Sequence, residues 1–224
     1  MEQIILVDKP EGVSSFGVVA RVRRKLTEEM KKNARPGENI PKRVKVGHAG
    51  TLDPFATGLL ILLVGKATKR AGVFLKLDKE YIATMRLGAT STTGDVEGEI
   101  TEDSAAREVS REEIEEVLKQ FTGKIKQTVP KYSAVKINGR RAYRLAREGK
   151  EVEMPTREVE IYKIEIVDYK WPELTIKCKV SSGTYIRALG EDIGGVLGTK
   201  AYLTKLRRTK IDKYNVEDAM IVEK

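Results

Sequence analysis

The sequence predicts an α+β fold, with a mixed, mainly antiparallel sheet flanked by helices. Three observations point that way. Short apolar runs of strand character alternate with amphipathic helical segments, no strict strand-helix-strand rhythm or internal repeat is detectable, and two long alternating segments are separated by only a Trp171-Pro172 turn.

In chain order, IILV near the start reads as a short strand, and Ser14 or Ser15 can cap a helix that carries Val18, Val19, Val22 and Leu26. The segment from Thr27 to Lys42 is rich in charge and holds two prolines and a glycine, the composition of a mobile surface loop. LLILLV at 59–64 reads as a buried strand and KEYIATMRLGA at 79–89 as a second strand with alternation. Ser110 and Glu113 have the spacing of a capping box before IEEVLKQF. RRAYRLARE reads as a helix with Arg140, Arg144 and Arg147 on one face, while Ala142, Leu145 and Ala146 face away. EVEIYKIEIVDY and ELTIKCKV form the paired strands, and TYIRALGEDIGGVLG reads as a helix ending near glycine. Gly183 and Gly190 are expected to serve a turn and close helix packing.

A chain of 224 residues suits one domain, or a domain with a small appendage, and can enclose a substantial core. Lys and Arg number 42 against 33 Asp and Glu, and the resulting +9 favours a polyanionic partner without separating RNA from DNA or an acidic membrane. The sorting of charge says more. Residues 21–45 hold ten basic and three acidic side chains, 124–150 nine and one, whereas 95–116 hold ten acidic and two basic. The arginine face at 140–147 suits phosphates, although an ordinary solvated helix face has the same pattern. The single Cys178 excludes an internal disulfide and a multi-cysteine zinc site, and its place in LTIKCKV gives it a core-filling role. No basic segment precedes an apolar stretch at the start, and LLILLV is far shorter than the roughly 20 residues of a membrane span. A cytoplasmic protein without a membrane partner is expected.

The densest chemical signal is GHAGTLDPFATG, residues 47–58. Its three glycines and one proline force a tightly turned loop, and Pro54 holds Asp53 out of the helical region. Such a loop can aim the carboxylate into a cleft; an Asx-turn bonding its own backbone is the alternative.

GHAGTLDPFATG resembles the catalytic motif of the TruB family, the tRNA pseudouridine-55 synthases. The likeness runs along nearly the whole chain: VDKPEGVSS is similar to the family's first motif, KEYIATMRLGATSTTGDVEG to its tyrosine segment, VPKYSAVKINGRRAYRLAREG to its RNA-gripping insertion, and SSGTYIRALGEDIG to its arginine motif. The resemblance implies a pseudouridine synthase fold with a central RNA-binding cleft, one catalytic domain over 1–224, and an insertion at about 129–155. It implies that Asp53 is the catalytic aspartate, that Tyr81 packs on the target uracil, and that Arg187 pairs with Asp53. Lys9, His48, Tyr185 and Leu206 would line the site, and Lys131, Tyr132, Arg140, Arg141, Tyr143, Arg144 and Arg147 would hold the T-arm of tRNA. By itself, Tyr81 in an alternating strand reads as core, and a lone histidine as a packed or hydrogen-bonded one. No metal, cofactor or obligatory protein partner is implied, and a monomer is expected.

Three departures from the resemblance stand out: the small C-terminal RNA-binding module common in the family is expected to be absent or truncated, the charged segment at 27–42 is long, and Asp212 stands where family members usually have glycine. Competing readings are a guide-RNA-dependent pseudouridine synthase and a non-catalytic tRNA-binding chaperone. A glycosidase is disfavoured, because no second carboxylate is placed beside Asp53.

Overall fold

The longest apolar run of the sequence is a strand buried on both faces. In the computed structural model, which describes residues 2–35, 42–150 and 152–222, the chain opens with β1 (Glu2–Lys9), α1 (Ser15–Lys32), β2 (Val46–His48), β3 (Thr57–Gly65) and α2 (Ala71–Leu75). It continues through β4 (Lys79–Leu87), β5 (Ala89–Ser91), β6 (Ile100–Glu102), α3 (Arg111–Gln120), β7 (Gly123–Thr128), β8 (Lys136–Ile137), β9 (Arg140–Arg141) and α4 (Ala142–Arg147). β10 (Thr156–Lys170), β11 (Glu173–Val180), α5 (Ile186–Val196), β12 (Ala201–Ile211), β13 (Tyr214–Asn215) and β14 (Met220–Ile221) complete the order. Two compact units result, one of Met1–Lys79 with Arg207–Lys224 and one of Glu80–Leu206.

In the first unit the strand order is β14-β1-β3-β12, with β2 also on β3 and β13 on β12. β1 and β3 are antiparallel from Glu2↔Gly65 to Lys9↔Gly58, while β1–β14 and β12–β3 are parallel. Leu59, Ile61 and Leu63 pack with Phe74, Ile211 and Val216 on one face of β3. Leu60 and Leu62 meet Val7 and α1's Val18, Val19 and Val22 on the other. A strand covered on both faces needs no polar alternation, which is why LLILLV is continuous. Each of these side chains contributes about 1.5–3 kcal/mol by burial.

Ser14 caps α1, accepting from Gly17 N at 3.0 Å. The helix runs further than its composition suggested: Thr27–Lys32, expected to begin a loop, is helical, with Asn33 as the C-cap. Glu28, Glu29, Met30, Lys31 and Lys32 are good helix formers, and the prolines lie beyond the helix end, at 36 and 41. The Thr27 hydroxyl donates to Arg23 O at 2.7 Å and so does not compete with the helix. Residues 36–41 of the expected loop lie outside the described residues.

Gly58 shows how closely β3 and β12 approach. Its φ is +101°, and a Cβ there would lie 2.3 Å from Arg208 O and 2.8 Å from Arg208 N. Backbone cannot give way as a side chain can. Gly58→Ala is therefore expected to cost about 2–5 kcal/mol from positive φ and overpacking together. Thermal unfolding should show a fall in Tm of roughly 5–15 °C.

In the second unit the order is β12-β4-β11-β10-β7. β4 alternates as expected, with Tyr81, Ala83, Met85 and Leu87 buried. β10 and β11 are antiparallel from Ile161↔Val180 to Lys170↔Glu173, joined through Trp171 and Pro172. Ser110 and Glu113 complete the capping box of α3. Gly183 has φ +88°, and a Cβ on Gly190 would come within 3.0 Å of Leu203, as turn and close packing require. Cys178 is buried, and desolvation, helped by the Glu80 charge, pushes its thiol up to about 12, leaving a protonated core side chain. The mixed, mostly antiparallel sheet with flanking helices is the α+β architecture expected.

Two local backbone devices explain two sequence puzzles. Asn138 and Gly139 both have positive φ, at 50° and 81°, and turn the chain between β8 and β9 in a two-residue hairpin. Arg140 and Arg141 are thereby strand residues rather than helix residues, so the expected arginine face shrinks to Arg144 and Arg147. Asp212, which the resemblance set where glycine is expected, lies in the left-handed region at φ 51°. Glycine enters that region freely, and aspartate is among the few other residues that tolerate it. Among the described residues no helix is long and apolar enough to cross a membrane.

Candidate active site

In the first unit, the loop carrying Asp53 is fastened on both sides of that residue. Before it, the buried Ser15 hydroxyl donates to Leu52 O and accepts from Leu52 N, both at 2.8 Å. After it, Pro54 O accepts from Gly12 N at 2.8 Å and from the Lys9 ammonium at 3.1 Å. Ala56 N closes the turn by donating to Asp53 O at 3.1 Å. Three residues of VDKPEGVSS thus fix the peptides flanking Asp53, while Asp53 itself is half-buried.

Lys9 is completely buried, and its ammonium also donates to Pro10 O at 3.0 Å and Val13 O at 2.7 Å. Three carbonyls satisfy a charge that would otherwise be costly at that depth. Ser15→Ala leaves both polar atoms of Leu52 without their side-chain partner. It is expected to cost about 1–3 kcal/mol, read as a Tm lower by roughly 2–10 °C in thermal unfolding; an unchanged Tm would show that Leu52 is held without it.

Arg208 is the fastener that residue reading missed. It lies in the basic stretch LRRTKIDKY at 206–214, yet it is only 1 % exposed. Its Nε donates to Leu59 O at 2.7 Å and one Nη to Gly50 O at 3.1 Å, with Thr51 O at 3.5 Å from the other. A guanidinium's planar fork can hold several carbonyls of one turn at once. Arg207 points elsewhere and pairs bidentately with Asp8 at 2.7 and 3.0 Å. Burial, and secondarily the Arg208 charge, lowers the pKa of His48. His48 Nδ1 is buried and has no hydrogen-bond partner among the described residues.

The second unit carries the other expected residues. Arg187 is 5 % exposed near the start of α5. It donates to Thr93 O at 2.7 Å and Tyr132 O at 2.9 Å, and lies 3.3 Å from the Asp95 carboxylate. Asp95 is itself buried and accepts from Thr93 Oγ1 at 2.6 Å and Glu97 N at 3.0 Å. Arg187 therefore ties the turn after β5 to the segment at 129–135. Asp95 was hidden in the acidic stretch 95–116, where nothing set it apart. Tyr81 is buried on β4 and Leu206 on β12; Tyr185 is half-buried as the N-cap of α5, with Arg157 over its ring, 5.4 Å from the centroid. Lys9, His48 and Asp53 are thus together in one unit, and Tyr81, Tyr185, Arg187 and Leu206 in the other.

The 129–149 segment presents exposed cations around an aromatic ring. Arg144 and Arg147 lie 6.0 and 5.8 Å from the Tyr143 centroid. Tyr143 N and Ala142 N donate to Ser133 O and Val135 O, folding α4 back on the chain before β8. Arg140 pairs with Glu148, and Arg141 donates to Ala134 O. Lys131 is exposed and Tyr132 half-buried.

Comparison with known proteins matches residues 38–186 to the TruB family pseudouridylate synthase N-terminal domain. A tRNA pseudouridine synthase B of Phocaeicola vulgatus is 43 % identical over 221 residues, 99 % of this chain and 90 % of that protein. One of Aquifex aeolicus is 41 % identical over 225 residues, 100 % of this chain and 73 % of that protein. Among solved structures, a chain of a Cbf5-Nop10-Gar1 complex superposes with a TM-score of 0.69 at 29 % identity, covering 98 % of this chain. A chain of an H/ACA RNP bound to a substrate RNA containing 2'-deoxyuridine gives 0.66 at 27 %, covering 97 %. This chain spans about half the length of those two structures, 52 % and 50 %. Family model, relatives and fold agree: the chain belongs to the TruB family of pseudouridylate synthases, and is an isomerase.

Proposed function

We propose that this chain isomerises uridine to pseudouridine in the T-loop of tRNA, at position 55, with Asp53 as the essential carboxylate. The observation that carries the reading is the Asp53 loop, whose two flanking residues are both fastened by side chains and backbone of one short segment. Positioning of that kind is what a single reacting group requires.

The reaction breaks the C1′–N1 bond, turns the uracil, and forms C1′–C5; N1 gains a proton and C5 loses one, so atoms balance without redox chemistry. Asp53 serves as the nucleophile at C1′ or as a base on the sugar, and either role needs its ionised form. Arg187 pairs with Asp53 and favours that form. Tyr81 offers its ring to a uracil turned out of the stack, since the target atoms cannot be reached inside a folded loop. Tyr185 and Leu206 line the site, His48 contacts RNA or backbone as a neutral imidazole, and Lys9 shapes the site from beneath. Lys131, Tyr132, Arg140, Arg141, Tyr143, Arg144 and Arg147 grip the T-arm, where phosphate contacts give salt-dependent affinity and unstacked bases give recognition.

The enzyme acts as a monomer, without cofactor or protein partner. A guide-RNA-dependent role is the second reading, favoured by the likeness to chains of H/ACA assemblies. Against it stand relatives at 43 % identity whose length this chain nearly matches. Purified protein incubated with unmodified tRNA transcript decides between them. Pseudouridine at position 55 without other components is expected; product only after addition of guide RNA and partner proteins would establish the second reading.

A further inference from the structure

Gln127 is a buried polar side chain on β7 that makes both of its hydrogen bonds to one residue. Its Nε2 donates to Tyr185 O at 3.0 Å, and its Oε1 accepts from Tyr185 N at 2.8 Å. Tyr185 begins α5 with an extended backbone, φ −98° and ψ 110°, and its own side chain makes no capping bond. The glutamine amide therefore does for this peptide what a neighbouring strand would do. An apolar side chain would fill the same space without the cost of burying an amide, so packing alone does not account for glutamine here.

The opposite strand adds a second hold. Arg157 is the antiparallel partner of Gln127, so the two side chains share a face of the sheet. The Arg157 guanidinium lies 5.4 Å from the Tyr185 ring centroid, and its Nη1 donates to Gly183 O at 3.4 Å. One cross-strand pair thus holds Tyr185 by its backbone and by its ring. Arg187 follows two residues later in the first turn of the same helix.

We propose that Gln127, seconded by Arg157, is a positioning residue of this enzyme: by clamping the Tyr185 peptide it sets the entry of α5 and presents Tyr185 and Arg187 in register to the target nucleotide. This rests on Tyr185 and Arg187 being site residues, as proposed above. Neither Gln127 nor Arg157 touches the reacting atoms in this scheme.

Two variants of the full chain test it. Gln127→Leu removes both bonds. Gln127→Glu keeps the acceptor but sets a carboxylate against Tyr185 O, and protonating that carboxylate restores a donor. At about pH 8 both variants are expected to lose kcat by about tenfold or more while KM for tRNA stays within about twofold. At about pH 6, Gln127→Glu should recover towards the wild type measured at the same pH, whereas Gln127→Leu should not. Hydrogen exchange at the Tyr185 amide should quicken by about tenfold or more in folded Gln127→Leu. Wild-type kcat in Gln127→Leu, an unchanged exchange rate at Tyr185, or a Gln127→Glu defect indifferent to pH would each overturn the proposal. Exchange is read without turnover, so an inactive wild type with a protected Tyr185 amide would count against the isomerase reading and not against the clamp.

Discussion

Asp53→Asn is expected to lower turnover on tRNA by about 10³-fold or more, equivalent to about 4 kcal/mol of transition-state stabilisation, while leaving tRNA affinity within about twofold. Asparagine has nearly the same shape, and the fastenings at Gly50, Thr51, Leu52, Pro54 and the Asp53 carbonyl do not use the carboxylate, so the turn should persist. What vanishes is the negative charge, which either chemical route needs. Pseudouridine formation under single turnover, alongside a binding isotherm, separates the two effects. A variant that still isomerised within tenfold of the wild type would remove Asp53 from the chemistry, and one that lost binding equally would make it a structural residue.

Arg187→Met should be nearly as damaging, and by two routes. Removing the guanidinium strips a buried carboxylate, Asp95, of its cation and takes a donor from each of the Thr93 and Tyr132 carbonyls. Breaking a buried pair by deleting one partner typically costs about 3–5 kcal/mol, so Tm should fall by roughly 6–20 °C. Turnover should fall by about 10²-fold or more even where the variant is fully folded, since the partner proposed for Asp53 is gone. Arg187→Lys separates the routes. It keeps the charge near Asp95 but cannot span three acceptors with a planar fork, so it should regain part of the stability and little of the turnover. Full turnover in Arg187→Lys would reduce the role of Arg187 to charge alone.

Most of the secondary structure was legible because it rests on local pattern. LLILLV, KEYIATMRL and the paired strands ending and beginning at the Trp171-Pro172 turn follow from burial on one face or two, and Ser14, Ser110 and Glu113 announce helix starts through bonds spanning three residues. The exceptions are also local. Asn138-Gly139 was a hairpin signal that arginine spacing obscured, and the charge of Thr27–Lys32 obscured its helix propensity.

Asp53 was visible because its loop is dense in glycine and proline and resembles a known motif; of the residues that fasten the site, Lys9 was named through the same resemblance, and Ser15, Gln127 and Arg208 were not. The Ser15 hydroxyl meets Leu52 across 37 positions, Gln127 meets Tyr185 across 58, and Arg208 meets Gly50 across 158. Nothing in local composition distinguishes a serine, glutamine or arginine that will be buried against a distant carbonyl from one that will face water, and the prior for such residues is exposure. By itself, then, the sequence determined the α+β elements, the family and the carboxylate at its centre. Only the tertiary structure decided which polar side chains surrender their hydration to hold the loop and the helix, because that exchange is made between groups that no stretch of sequence brings together.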